Sequence, residues 1–187
     1  MRLQHGGKIV VLGGGPAGAL FAIHLLRQSQ QAGIDITVTI IDKKAVRPSS
    51  ASPCQLRGCN YCAGIISPRL HDALEKSGIA LPEQLICEEF SHIWIHGLWK
   101  NFPLKLPPGQ RMYSLFRGSL PHGRQDKTAG LDDFLLNRAQ TRGAAVIAGE
   151  VIDIRYAPSK KPYVTVATAS KREIGIESDF LAIATGI

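Results

Sequence analysis

A chain of 187 residues, of which 44% are hydrophobic and 20% charged, has the size and composition of a soluble globular protein built as one large domain or one domain with an insertion. Its net charge of +7 is scattered over Lys43, Lys44, Arg47, the stretch from Arg111 to Arg124, and Lys160, Lys161, Lys171 and Arg172. Without a concentrated basic stripe or a recognisable module, no nucleic-acid partner is expected, and the charge suits phosphate-bearing ligands or anionic lipid equally well.

Lys8 to Leu12 is a short apolar run ended by glycines. Ala17 to Gln31 then carries Leu20, Ile23, Leu25 and Leu26 before Gly33 stops it, which predicts a buried strand, a turn and a helix. The glycines and the proline within Ile9 to Leu26, with His24 near its end, exclude a signal peptide or membrane span there, so a cytoplasmic location is expected. Ile34 to Ile41 is β-branched, ends at Asp42, and completes a right-handed βαβ unit as a parallel partner strand.

Gly13, Gly15 and Gly18 have the spacing G-x-G-x-x-G between that strand and helix, with Pro16 and Ala17 inside the turn. Gly13 permits the tight turn, Gly15 lets a pyrophosphate approach the backbone, and Gly18 packs helix on strand. The helix N-terminus offers N–H groups and partial positive charge to phosphates. Asp42 follows Gly18 by 24 residues, where a ribose-binding acid is expected roughly 20 residues on. An acid there favours the free ribose hydroxyls of FAD or NAD, although Lys43 and Lys44 beside it could contact phosphate instead.

From Lys43 to Gly64 the chain is a loop rich in Ser, Pro, Cys and Gly. Ser67-Pro68 reads as an N-cap and first helical residue, with the helix running to Gly78. Glu89 to His96, Trp99 to Leu106 and Arg111 to Phe116 read as an antiparallel insertion. Pro121 to Thr128 is polar, Leu131 to Arg142 is an amphipathic helix closed by Gly143, and Ala145 to Ala148 should rejoin the parallel sheet. Val151 to Tyr156, Tyr163 to Thr168 and Glu173 to Ile176 resemble a β-meander, and Phe180 to Ala184 a last buried strand running into Thr185-Gly186. The fold class is therefore α/β: a Rossmann-type domain with a central parallel sheet, a β-meander and an antiparallel β insertion. Residues 1–86 and 118–187 would form the dinucleotide-binding domain, and 87–117 the start of a substrate domain.

Gly13 to Gly18, with Gly130-Leu-Asp-Asp-Phe-Leu-Leu, Arg142-Gly143-Ala144 and Gly149-Glu150-Val151, resembles the FAD-dependent oxidoreductases with a glutathione-reductase-like flavin domain. Within them, Cys62 to Pro68 is similar to the Cys-Gly-Gly loop of geranylgeranyl reductases, and Asp179 to Gly186 to their Ala-Thr-Gly turn near the flavin. The resemblance implies FAD as cofactor, held by Gly13, Gly15, Pro16, Ala17, Gly18, Asp42, Lys43, Arg117, Val151, Thr185 and Gly186, with NAD(P)H as an electron donor. It implies hydride transfer from reduced flavin to a double bond of an isoprenoid or lipid-like substrate, and is compatible with peripheral membrane contact. Family members continue past the turn that precedes Ile187, so a fragment, a truncated reading frame, or one half of a split protein completed by a second polypeptide is expected.

The cysteines leave alternatives open. An even count of four without an export signal points to reduced thiols, metal or redox chemistry. Cys54 and Cys59 are like the redox pair of pyridine-nucleotide disulfide reductases, and with Cys62 of the loop similar to that of geranylgeranyl reductases they are the candidate catalytic residues. Cys54, Cys59, Cys62 and Cys87 could equally hold an iron–sulfur cluster or zinc in a non-catalytic module, although no metal site is assigned. Cys87 reads as a packing residue. His92, Trp94 and His96 share one strand face, with Ile93 and Ile95 expected on the buried one. Asp132 and Asp133 in the first turn of their helix read as structural, since the dipole favours acids there.

Overall fold

A computed structural model describes residues 4–45, 64–118 and 130–186. In chain order its elements are β1 (Gly7–Leu12), α1 (Pro16–Gln31), β2 (Ile36–Asp42), β3 (Ile65–Ile66), α2 (Pro68–Lys76), a short 3-10 turn (Glu83–Leu85), β4 (Ile86–Phe90), β5 (His92–His96), β6 (Asn101–Lys105), β7 (Met112–Leu115), α3 (Leu131–Thr141), β8 (Ala145–Tyr156), β9 (Pro162–Thr168), β10 (Glu173–Glu177) and β11 (Phe180–Ile183). They group into two compact units, Met1–Gly58 with Asp132–Ile187, and Cys59–Leu131.

The first unit is built on a six-stranded sheet in the order β10-β9-β8-β2-β1-β11. Strands β8, β2, β1 and β11 run parallel, with Leu12 opposite Ile41 on one side and Ile183 on the other. Ile9, Val10, Val11 and Leu12 are all at most 2% exposed, as a central parallel strand covered on both faces requires. Val10, Leu12 and Ile41 pack with Val164 and Val166 of the meander into one apolar cluster. On α1, Ala19, Ala22 and Ile23 are fully buried, and Phe21 stacks on Phe180 of β11 with ring centroids 6.4 Å apart. The expected βαβ unit and the return at Ala145 are present; the closing strand β11 pairs in parallel with β1 but is not the buried strand expected, because it stands at the sheet edge with Phe180 39% and Ile183 68% exposed.

One expectation is corrected. Ala145 to Ala148 and Val151 to Tyr156 are a single 12-residue strand. Its first residues pair in parallel with Thr39 to Asp42 on one edge, and from Gly149 its other edge takes up β9 antiparallel. Because a strand has two hydrogen-bonding edges, β8 can leave the parallel ladder without ending, and the meander is a continuation of the central sheet.

The second unit holds a three-stranded sheet, β3-β7-β4, and a separate two-stranded hairpin, β5-β6. Its helix α2 begins as the sequence predicts: the Ser67 side chain accepts a hydrogen bond from the Leu70 N–H, and Pro68 opens the helix. The single strand expected from Glu89 to His96 divides at Ser91 into β4 and β5, which belong to different sheets. Ile93 and Ile95 are 42% and 40% exposed rather than buried. Alternation establishes which residues share a face; it carries no information on whether that face is covered. Cys87 is exposed rather than packed, because the pairing of β4 with β7 shifts register between Ile86 and Glu88 and leaves it as the extra residue. Among the described residues no helix is long and apolar enough to cross a membrane.

Candidate functional site

The carboxyl ends of three adjacent parallel strands in the first unit carry the residues singled out by the glycine spacing. Strand β1 ends at Leu12 and passes into Gly13, whose N–H donates to the Ile41 carbonyl at 2.8 Å. On the other side the Ala184 N–H donates to the Leu12 carbonyl at 2.8 Å, so the chain leaving β11 lies against the glycine turn. Gly13 has φ +97°, and a Cβ there would run into the Ala184 carbonyl. A side chain at Gly18 would strike the Gly13 carbonyl oxygen, so this residue sets how closely α1 approaches the turn.

Gly15 differs from both. It sits at the N-cap of α1 with φ −68° and ψ −175°, an extended conformation open to any residue, and a Cβ there would meet nothing within 4 Å. Neither its conformation nor its surroundings among the described residues require glycine at this position. No side chain caps α1, Pro16 occupies its first turn, and no acidic residue stands there, so the positive end of the helix is uncompensated. Ala17 is exposed at the lip and Gly18 is buried beneath it.

Asp42, at the end of β2, turns back toward the same place. One carboxylate oxygen accepts the Gly14 N–H at 2.7 Å and the other the Lys44 N–H at 2.7 Å. These bonds fix the carboxylate's orientation against the glycine turn. Lys43 has its ammonium 3.8 Å from Glu150 in an exposed pair. Thr185 and Gly186 follow β11 and are exposed beside the turn. Val151 lies on β8 paired with Val166, and its side chain packs into the apolar cluster.

The structure therefore brings Gly13, Gly15, Gly18, Asp42, Thr185 and Gly186 to one sheet end. Arg117 belongs to the second unit, half-buried after β7, with its carbonyl against Gly130. Cys54, Cys59 and Cys62 lie outside the described residues. Sequence reasoning missed Gly14, whose N–H ties the turn to Asp42. Its place between two motif glycines was the available signal. It also passed over His71, Asp72 and Glu75, whose ligand atoms lie within 4.8 Å of one another on α2 because their spacing is one helical turn.

A second carboxylate stands at the opposite end of the sheet. Asp179 accepts the Lys8 N–H at 2.8 Å and pairs with the Lys161 ammonium at 2.7 Å. The bond from Lys161, then that from Lys8, holds the Asp179 carboxyl below its ordinary value, and the Asp179 bond raises Lys161.

No protein-family model matches this chain, and no curated protein does so by sequence. Solved structures do share its fold. A flavoprotein/dehydrogenase from Cytophaga hutchinsonii is 20% identical with a TM-score of 0.65, over 96% of this chain and 39% of that one. A flavin-dependent brominase is 17% identical with a TM-score of 0.66, over 96% and 38%. The anhydrotetracycline hydroxylase of Streptomyces rimosus is 16% identical with a TM-score of 0.60, over 96% and 32%. The likeness is one of fold alone: a mixed sheet with a parallel core and small antiparallel sheets. The chain spans about two fifths of the length of the first two structures.

Proposed function

We propose that this chain binds FAD across the carboxyl ends of β2, β1 and β11, and that it forms the flavin-binding part of a flavin-dependent oxidoreductase. The observation that carries the reading is Gly15, a glycine in an ordinary backbone conformation with open space beside it at an uncapped helix N-terminus. A pyrophosphate suits that space, because it is small, anionic and served by backbone N–H groups. Asp42, held by Gly14 and Lys44, would meet ribose hydroxyls, and Thr185 and Gly186 follow β11 at the same sheet end. Bound there, FAD would supply the hydride chemistry, while the chain supplies binding and orientation.

For substrate, the segment Cys62 to Pro68 favours reduction of a carbon–carbon double bond in an isoprenoid, as its resemblance to geranylgeranyl reductases implies. Hydride would pass to one carbon and a proton to the other, with NAD(P)H restoring the reduced cofactor. Catalysis by the complete machinery would need substrate-domain segments beyond those in this chain, in the same polypeptide or a complementing one, because the structures of like fold are more than twice as long. A second reading, oxygen-dependent hydroxylation or halogenation, is favoured by the likeness to the hydroxylase and the brominase.

The test is direct. Purified chain, reconstituted with FAD, is expected to show a flavin spectrum that denaturation shifts to that of free FAD. A chain that takes up no flavin overturns the proposal. In the complete enzyme, anaerobic reoxidation of reduced flavin by a polyprenyl substrate distinguishes the reductase from the oxygen-dependent reading, which requires dioxygen.

A further inference from the structure

The hairpin β5-β6 exposes more apolar surface than any other element of the second unit. Its pairing places Ile93 opposite Leu104 and Ile95 opposite Phe102, so these four side chains share one face of the ribbon. They are 42%, 49%, 40% and 51% exposed. On the opposite face Trp94 lies across from Pro103, flanked by the His92–Lys105 and His96–Asn101 pairs. At the tip, closed by the Gly97 N–H donating to the Lys100 carbonyl, Leu98 and Trp99 are almost wholly exposed, at 98% and 94%.

The charge along this stretch of sequence has one sign. From Phe90 to Gln125 the chain contains no Asp or Glu, whereas Lys100 and Lys105 lie on the hairpin itself. Trp94 and Trp99 are the chain's only tryptophans, and both are here. Apolar side chains at the tip, tryptophan among them, with one lysine beside the tip and one at the base of the ribbon, form the pattern of a segment that enters the headgroup region of a bilayer. Tryptophan prefers that interface, and lysine stems reach back to anionic headgroups.

We infer that the β5-β6 hairpin is a docking element for an anionic membrane surface, with Leu98 and Trp99 entering the interface and Lys100 and Lys105 facing acidic lipid. The inference does not depend on the flavin reading. It would place the protein where a lipid-like substrate resides.

Sedimentation of the full chain with vesicles tests it, using phosphatidylcholine alone and phosphatidylcholine mixed with phosphatidylserine. Binding to the mixed vesicles is expected, weakening with added salt, with a blue shift of tryptophan emission that reports this hairpin alone. Leu98→Ser with Trp99→Ser should cut binding at least about tenfold. Lys100→Gln and Lys105→Gln should each cost roughly fivefold on the mixed vesicles and little on the neutral ones. Both tip residues are solvent-facing, so thermal unfolding by circular dichroism should be unchanged in these variants. Failure to bind mixed vesicles, or equal binding by the tip variant, overturns the inference. So does blue-shifted emission with a doubled mass in the absence of lipid, which would assign the face to a second copy of the chain.

Discussion

Two carboxylates mark opposite ends of the parallel sheet, and they are held differently. Asp179, at the amino end, is bound by the Lys8 N–H and by the Lys161 ammonium, and its charge is answered within the protein. Asp42, at the carboxyl end, is steadied by two backbone N–H groups, while the neighbouring cation Lys43 lies against Glu150. One acid is bound at the amino end of the sheet; the other is bound to the turn that leads into α1. The glycines divide in the same way. Gly13 and Gly18 are demanded by the chain's own contacts, and Gly15 is not.

The sharpest way to break this division is to fill the glycines one at a time. Gly18→Val drives a side chain into the Gly13 carbonyl and separates α1 from the sheet, so about 3 kcal/mol of stability, or all cooperative unfolding, should be lost in a denaturant titration. Gly15→Ala should leave stability unchanged or raise it by about 0.5 kcal/mol, because its conformation suits alanine. Gly15→Val should weaken FAD binding at least about tenfold in a fluorescence titration, with the fold retained. Were Gly15→Val to unfold the chain, or Gly18→Val to spare it, the division between structural and ligand-serving glycines would fail.

Asp42→Asn comes next in size. The amide oxygen can keep one of the two backbone bonds, but its NH2 group faces the other N–H and no longer presents a carboxylate to hydroxyls. FAD affinity should fall several-fold, about 1 kcal/mol at a typical charge-assisted bond. Asp42→Ala should reduce it further and loosen the glycine turn. An unchanged affinity in both variants would remove Asp42 from the ribose site.

How much of this was legible depends on sequence distance. The βαβ unit and Asp42 could be read because strand, glycine turn, helix and acid follow within 36 residues of one another, from Gly7 to Asp42, each with its own local signal. Ser67 and Pro68 were legible for the same reason. The exposure of Ile93 and Ile95 was not, since an alternating strand reads identically whether or not a partner covers it. Strand β3 has two residues, too few for any period. The continuity of β8 depends on which edge each half offers, a property of the sheet rather than of the segment. The bond from Lys8 to Asp179 spans 171 positions and leaves no local trace. Gly15 reads from the sequence as a site of ligand approach, and only the structure separates it from its neighbours, by showing that neither its conformation nor its surroundings require glycine.

The smallest expected effect sharpens the other half of the comparison. Since Asp179 titrates below its ordinary value of 3.8, its contribution to stability is complete above that pH and is lost as pH falls through the depressed folded value. Lys161 is raised above 10.5, so its share is complete below that pH and is lost as pH rises through the elevated value. Between these limits the pair contributes fully, though modestly, because both side chains are substantially solvent-exposed and salt screens them. Asp179→Asn should therefore lower the unfolding midpoint slightly at neutral pH, by an amount that shrinks in high salt and vanishes in acid. FAD affinity should not change, because Asp179 stands at the far end of β11 from Thr185. A loss of flavin binding equal to that of Asp42→Asn would mean that the two sheet ends are coupled, and that the amino-end acid serves the cofactor through the strands between them.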